Sequence, residues 1–188
     1  MITPNVLTLI RILIGVMCPV LLLRYRSFPM DLGVFFAFAV ACLTDWWDGH
    51  LARTQLMVTR FGKIMDPVAD KLLIVGFMSA LSLMKFYPFE WITPIFVREF
   101  AVTMARIVKL GKGDVMPAEW AGKIKVCFQY GSILATLLLM TALDSHFFGS
   151  GSSIALRSLY ALHYLGILLA VILTLCSGLI FFHRLAEL

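Results

Sequence analysis

Four aspartates, Asp45, Asp48, Asp66 and Asp70, fall within twenty-six residues of a chain that is otherwise overwhelmingly apolar. Asp45 and Asp48 stand three apart and Asp66 and Asp70 four apart, so on helices each pair projects from one face. An ionised carboxylate at bilayer depth costs roughly 2.5–3.5 kcal/mol on insertion scales, so four together call for something cationic. Two such helices facing each other present an all-oxygen cage, the ligand set of Mg²⁺ or Mn²⁺ rather than of zinc or copper. Between the pairs lie Gly49, Ala52, Arg53 and Gly62. The small residues let a ligand approach the helix backbone, and Gly62 admits a bend between the helices. Arg53 offers a fixed fork of donors to a phosphate. Taken residue by residue, the acids also fit a structural polar cluster or a transporter's proton relay. Gly49 and Ala52 equally fit a small-residue helix-packing face.

The elements that position these residues follow from composition. Hydrophobic residues make up 61% of the 188 and charged ones 14%, with a mean hydropathy of +0.92. That is an integral membrane protein, with room for about six spanning helices of roughly 20 residues and no separate soluble domain. The expectation is a single all-α transmembrane domain over 1–188, with spans at 5–24, 33–52, 66–85, 89–109, 118–142 and 155–182. The opening Met1-Ile2-Thr3-Pro4-Asn5 has no basic stretch before its apolar run, so no cleavable leader is expected. Cys18, Cys42, Cys127 and Cys176 each sit alone in apolar surroundings and read as packing residues, and the isolated His163 reads as an interfacial or packing residue.

The net charge of +5 comes without a basic run, which argues against nucleic acid and for anionic headgroups and phosphorylated substrates. Arg53, Arg60 and Lys63 follow span two, and Arg106, Lys109 and Lys112 follow span four, whereas Asp144 to Ser153 holds no Lys or Arg. The positive-inside rule therefore puts both termini and the acidic pairs at the cytoplasmic face of the cell inner membrane. Arg24 and Arg26, between spans one and two, run against it. At that boundary a water-soluble nucleotide reaches the acids from one side and a lipid from the other.

Written out, Asp45-x2-Asp48-Gly49-x2-Ala52-Arg53-x8-Gly62-x3-Asp66-x3-Asp70 resembles the full signature of the CDP-alcohol phosphotransferase family, eight specified residues at the required spacing. The resemblance implies a six-helix membrane enzyme, usually a homodimer, that displaces CMP from a CDP-linked alcohol by attack of an acceptor hydroxyl. It makes Asp45, Asp48, Asp66 and Asp70 the site for one or two Mg²⁺ or Mn²⁺ ions, and Asp70 also the general base. Gly49, Ala52, Arg53 and Gly62 then hold the CDP-diacylglycerol donor. The opening Pro4-Asn5-x-Leu7-Thr8-x-x-Arg11 is similar to the family's own, which adds Asn5 and Thr8 as donor contacts with Arg11 nearby. Thr59 matches a further nucleotide contact. Without the resemblance, Thr8 bonds to its own helix and Arg11 snorkels to headgroups.

The second half of the chain has to name the acceptor. Arg98 and Arg106 stand eight apart, close to two helical turns, and so share a face. With Lys123 and Lys125 they make a basic pocket suited to a phosphomonoester, and Glu99 is placed to orient an arginine. The R-E-F…R…G-K-x-K arrangement is similar to that of family members whose acceptor is glycerol 3-phosphate. Val97 and Val126 depart from residues common there. The expected reaction is therefore phosphatidyl transfer from CDP-diacylglycerol to glycerol 3-phosphate. Alternatives are the same chemistry on inositol phosphate, serine or phosphatidylglycerol, or an intramembrane cation transporter.

Overall fold

The computed structural model describes residues 4–55, 60–111, 120–145 and 154–186. Its six helices are α1 (Pro4–Arg24), α2 (Phe28–Gln55), α3 (Arg60–Leu83), α4 (Phe89–Gly111), α5 (Trp120–Asp144) and α6 (Ile154–Ala186). No strand occurs among the described residues. At 1.5 Å per residue the shortest, with 21 residues, is about as long as a bilayer's hydrocarbon core is thick. Among the described residues, three segments are long and apolar enough to cross a membrane by composition: Leu7–Arg24, Gly122–Asp144 and Ile154–Leu185. Residues such as Leu13, Leu43, Leu83 and Leu179 are more than 60% exposed. That exposure of large aliphatic side chains all round the bundle is what a lipid solvent permits and water does not. The chain is a multi-pass membrane protein.

The six expected spans match these helices, but α2 and α3 begin five and six residues earlier than their apolar runs. In α2 the first turn holds Pro29, where no N–H is needed, and Asp31, favoured by the helix dipole. The Asp31 amide donates to the Ser27 carbonyl at 2.9 Å, closing that turn. In α3 the added turns, Arg60 to Asp66, carry three charged residues and Gly62 and continue the helix past the apolar stretch.

The α1–α3 contact sets the geometry of everything that follows. Pro19 lies inside α1 and has no N–H to give the Gly15 carbonyl. Gly76 of α3 occupies that gap. A Cβ there would lie 2.2 Å from the Gly15 oxygen, so the hydrogen glycine carries instead points at the orphaned carbonyl. A Cβ on Gly15 would in turn meet the Leu73 backbone at 3.0 Å. Two glycines thus bring two backbones together, as small residues do in membrane helix pairs.

Behind this seam Phe38, Phe77 and Tyr130 pack with ring centroids 4.6 and 5.9 Å apart, joining α2, α3 and α5. Nearer the α3–α4 turn, the buried Tyr87 hydroxyl bonds Ser132 Oγ at 2.8 Å and Thr136 Oγ1 at 2.7 Å. Thr136 also meets His163 Nδ1 at 2.8 Å, and the imidazole stacks on the Tyr87 ring. Burial pushes the Tyr87 phenol up to about 12, so it is a neutral hydroxyl at any physiological pH. His163 is buried and packed, one of the two roles that its isolation in the sequence left open.

The turn at that end also holds Arg26, which runs against the charge rule. Arg26 Nη2 bonds Asp144 Oδ1 at 2.7 Å and lies 3.7 Å from the fully buried Asp31 Oδ2. Arg26 is thus the counter-ion of two carboxylates, from α2 and α5. None of the four cysteines forms a disulfide.

Candidate active site

The start of α1, the end of α2, the start of α3, the end of α4, the start of α5 and the end of α6 share the other end of the bundle. Asp45, Asp48, Gly49, Ala52 and Arg53 lie on the last turns of α2, and Gly62 and Asp66 on the first turns of α3. Asn5 lies on α1 and Arg106 on α4. The side chains of these nine, and Thr59 entirely, lie outside the described residues. Asp70, Thr8, Arg98, Lys123 and Lys125 are described in full.

Asp70 faces α1. Arg11 Nη1 donates to its Oδ1 at 3.0 Å, with the arginine 2% exposed and the aspartate 35%. Arg11 therefore does not snorkel to headgroups; it is buried and paired with the fourth acid of the signature. The reason lies one turn along. The Gly15–Gly76 seam holds α1 and α3 close enough for side chains one turn earlier to meet. Thr8, three residues before Arg11 on α1, is also buried.

A second charged group lies beside this one. Glu99 of α4 receives Lys125 of α5 on Oε1, and Arg98 Nη1 lies 3.4 Å from the same oxygen. Lys71, the residue after Asp70, donates its ammonium to the Glu99 carbonyl oxygen at 3.0 Å. Arg98 is 9% exposed and Lys125 is buried, so both cations are drawn largely out of water around one carboxylate. Lys123 is exposed, one face away from Lys125. Sequence reasoning missed Lys71, and its adjacency to Asp70 was the available signal.

Between α3 and α4 an open groove of 720 Å³ is lined by Val68, Leu72, Val75, Phe96, Phe100 and Met104, with Lys71, Glu99 and Thr103 part-way along it. Its walls are almost wholly apolar, which suits an aliphatic chain.

No group of three or more metal-ligating side chains occurs among the described residues, and three of the four acids fall outside them. The donor chemistry of this end nonetheless suits a hard divalent cation. The acids are all carboxylates, and Asp70 is open enough for an oxygen to be reached from outside.

A family model described as CDP-alcohol phosphatidyltransferase matches residues 1–176, and the chain belongs to that family. Among curated relatives, the CDP-diacylglycerol–glycerol-3-phosphate 3-phosphatidyltransferase of Bacillus subtilis is 44% identical over 101 residues, 54% of this chain and 52% of its own. A probable phosphatidylglycerophosphate synthase of Mycobacterium tuberculosis is 40% identical over 131 residues, 66% of this chain and 60% of its own. The CDP-diacylglycerol–glycerol-3-phosphate 3-phosphatidyltransferase of Yersinia enterocolitica is 35% identical over 144 residues, 71% of this chain and 75% of its own. The chain spans about half the length of the first of these and three-fifths of the second.

Proposed function

We propose that this chain transfers the phosphatidyl group of CDP-diacylglycerol to the sn-1 hydroxyl of glycerol 3-phosphate, releasing CMP. The observation that carries the reading is the juxtaposition made by two consecutive residues of α3. Asp70 belongs to the acidic signature, and Lys71 reaches the Arg98–Glu99–Lys125 group. A base and a cationic seat for a phosphomonoester then lie side by side at one end of the bundle. The names of the relatives favour the same acceptor.

In this account Asp45, Asp48, Asp66 and Asp70 hold one or two Mg²⁺ or Mn²⁺ ions. Such an ion, when bound, neutralises the donor's pyrophosphate and the charge on the departing CMP. Arg53 takes a phosphate oxygen of the donor, while Gly49, Ala52 and Gly62 leave room for it, with Asn5, Thr8 and Thr59 as further contacts. Arg98, Arg106, Lys123 and Lys125 hold the phosphate of the acceptor. Asp70 takes the proton of the attacking hydroxyl. A bond forms from that oxygen to the phosphatidyl phosphorus, and the bond from phosphorus to the bridging oxygen breaks, leaving CMP. Arg11 fixes which way the Asp70 carboxylate faces.

The same reading makes the chain a single catalytic domain of the cytoplasmic (inner) membrane with this end and both termini in the cytoplasm. A homodimer follows by family resemblance and is tested by cross-linking in native membranes.

Two-substrate kinetics test the proposal. Arg98→Gln, Arg106→Gln and Lys123→Gln should each raise the KM for glycerol 3-phosphate about ten- to a hundred-fold, the worth of a charge-assisted hydrogen bond. The KM for CDP-diacylglycerol should move much less. A shift confined to the donor would assign these cations to CDP-diacylglycerol instead.

A further inference from the structure

Arg98 owes its place to a residue on a helix that bears none of the proposed site's side chains. Gly178 of α6 is buried, and a Cβ built on it would lie 3.0 Å from Arg98 Cγ, 3.6 Å from Nε and 3.9 Å from Cδ. The stem of the arginine therefore rests on the bare backbone of α6. Its other end is fixed as well, because Nη1 lies 3.4 Å from Glu99 Oε1 and that carboxylate is held by Lys125. One turn deeper, Gln129 Nε2 donates to Thr174 Oγ1 at 3.1 Å, tying α5 to α6 below the arginine. Arg98 has little room to yield by rotating away. Gly178 also lies outside the 1–176 match to the family model.

We infer that Gly178 is a positioning residue for the acceptor: the missing side chain of α6 sets where the Arg98 guanidinium stands, and so how well this chain seats a phosphorylated acceptor. The inference rests on the proposed role of Arg98 in holding the acceptor phosphate. A methyl group at position 178 would push the arginine stem by a few tenths of an ångström. A guanidinium that recognises a phosphate by directed hydrogen bonds loses much of their strength when displaced.

The test is a double-mutant cycle on the purified full chain, measuring both substrate KM values. Gly178→Ala should raise the KM for glycerol 3-phosphate by roughly three- to tenfold, part of the loss expected for a charge-assisted hydrogen bond. The KM for CDP-diacylglycerol should stay within about twofold. In the Arg98→Ala background, where Cγ is gone, Gly178→Ala should change neither constant, because the two residues act through one contact. Gly166→Ala is the control. A Cβ there meets Ser132 Cα of α5 at 3.2 Å, on the same helix but away from the arginine, so it should leave the ratio of the two KM values alone. If Gly178→Ala does not accumulate as folded protein, Arg98→Ala/Gly178→Ala should, since the second change removes the clash; failure of the double variant would overturn the inference. An unchanged acceptor KM in Gly178→Ala, or an equal effect with and without Arg98, would also overturn it. Should Arg98→Ala itself leave the acceptor KM unchanged, the proposed role of Arg98 falls, and the inference falls with it.

Discussion

Arg11 on α1 and Asp70 on α3 form an ion pair of 3.0 Å in which the arginine is almost fully buried. Through this pair α1 reaches the last acid of the signature, so in the proposed mechanism it serves the site as well as spanning the membrane. Arg11→Gln should lower turnover at least tenfold, because a misdirected reacting group costs up to about a hundredfold. Arg11→Lys should recover only part of that loss, since an ammonium lacks the planar fork. Initial-rate measurements on both variants check this, and wild-type turnover in Arg11→Gln would contradict it.

Asp70→Asn preserves size and hydrogen bonding but cannot take a proton. Turnover should fall by about 10²- to 10⁴-fold, the usual contribution of a general base, while donor binding survives in part. Single-turnover CMP release reads the first and an equilibrium binding assay the second. A loss smaller than about tenfold would remove Asp70 from the base role.

Gly76→Ala places a methyl group against the Gly15 carbonyl, where a Cβ meets backbone at 2.2 Å. The α1–α3 seam has to open, and Arg11 then parts from Asp70. The expectation is a lower thermal midpoint in detergent together with a loss of turnover. Gly33→Ala, where a Cβ meets nothing within 4 Å, should change neither. Normal stability and activity in Gly76→Ala would mean that the seam does not position the pair.

Much of this was legible in the sequence, for reasons that differ by element. Apolar runs of bilayer length mark α1, α5 and α6, because a lipid solvent leaves a chain few other ways to satisfy its backbone, and the other three follow from apolar stretches set between polar connections. The signature marks the α2–α3 junction through spacing alone. The starts of α2 and α3 were missed because Pro29 and Asp31 interrupt the one and Arg60, Gly62 and Lys63 the other, and hydropathy follows the bilayer rather than the helix. The pairing of Arg11 with Asp70 joins residues fifty-nine apart, and no local pattern carries such a contact. Its cause, Pro19 disarming the Gly15 carbonyl so that Gly76 can approach, depends on two helices at once. The partners of Arg26, Asp31 and Asp144, come from α2 and α5, and the contact that joins all three is likewise absent from any local pattern. Lys71 passed unnoticed between a signature residue and an apolar run.

Chelation gives a separate prediction. With excess EDTA, CMP release should cease, and Mg²⁺ or Mn²⁺ should restore it. Asp45→Asn, Asp48→Asn and Asp66→Asn should each insert and fold yet lose most turnover. Full activity in EDTA would remove the metal site from the account.

The acceptor is the central claim, and one measurement addresses it directly: CMP release by the wild-type protein from CDP-diacylglycerol with glycerol 3-phosphate, glycerol, serine, inositol phosphate or phosphatidylglycerol as the sole acceptor. Cations gathered around Glu99 should favour a small phosphomonoester, and charge-assisted bonds worth roughly 1.5–3 kcal/mol each should separate glycerol 3-phosphate from glycerol by at least about a hundredfold in kcat/KM. The account predicts rapid release with glycerol 3-phosphate alone. Equal or faster release with serine, phosphatidylglycerol or inositol phosphate would contradict it.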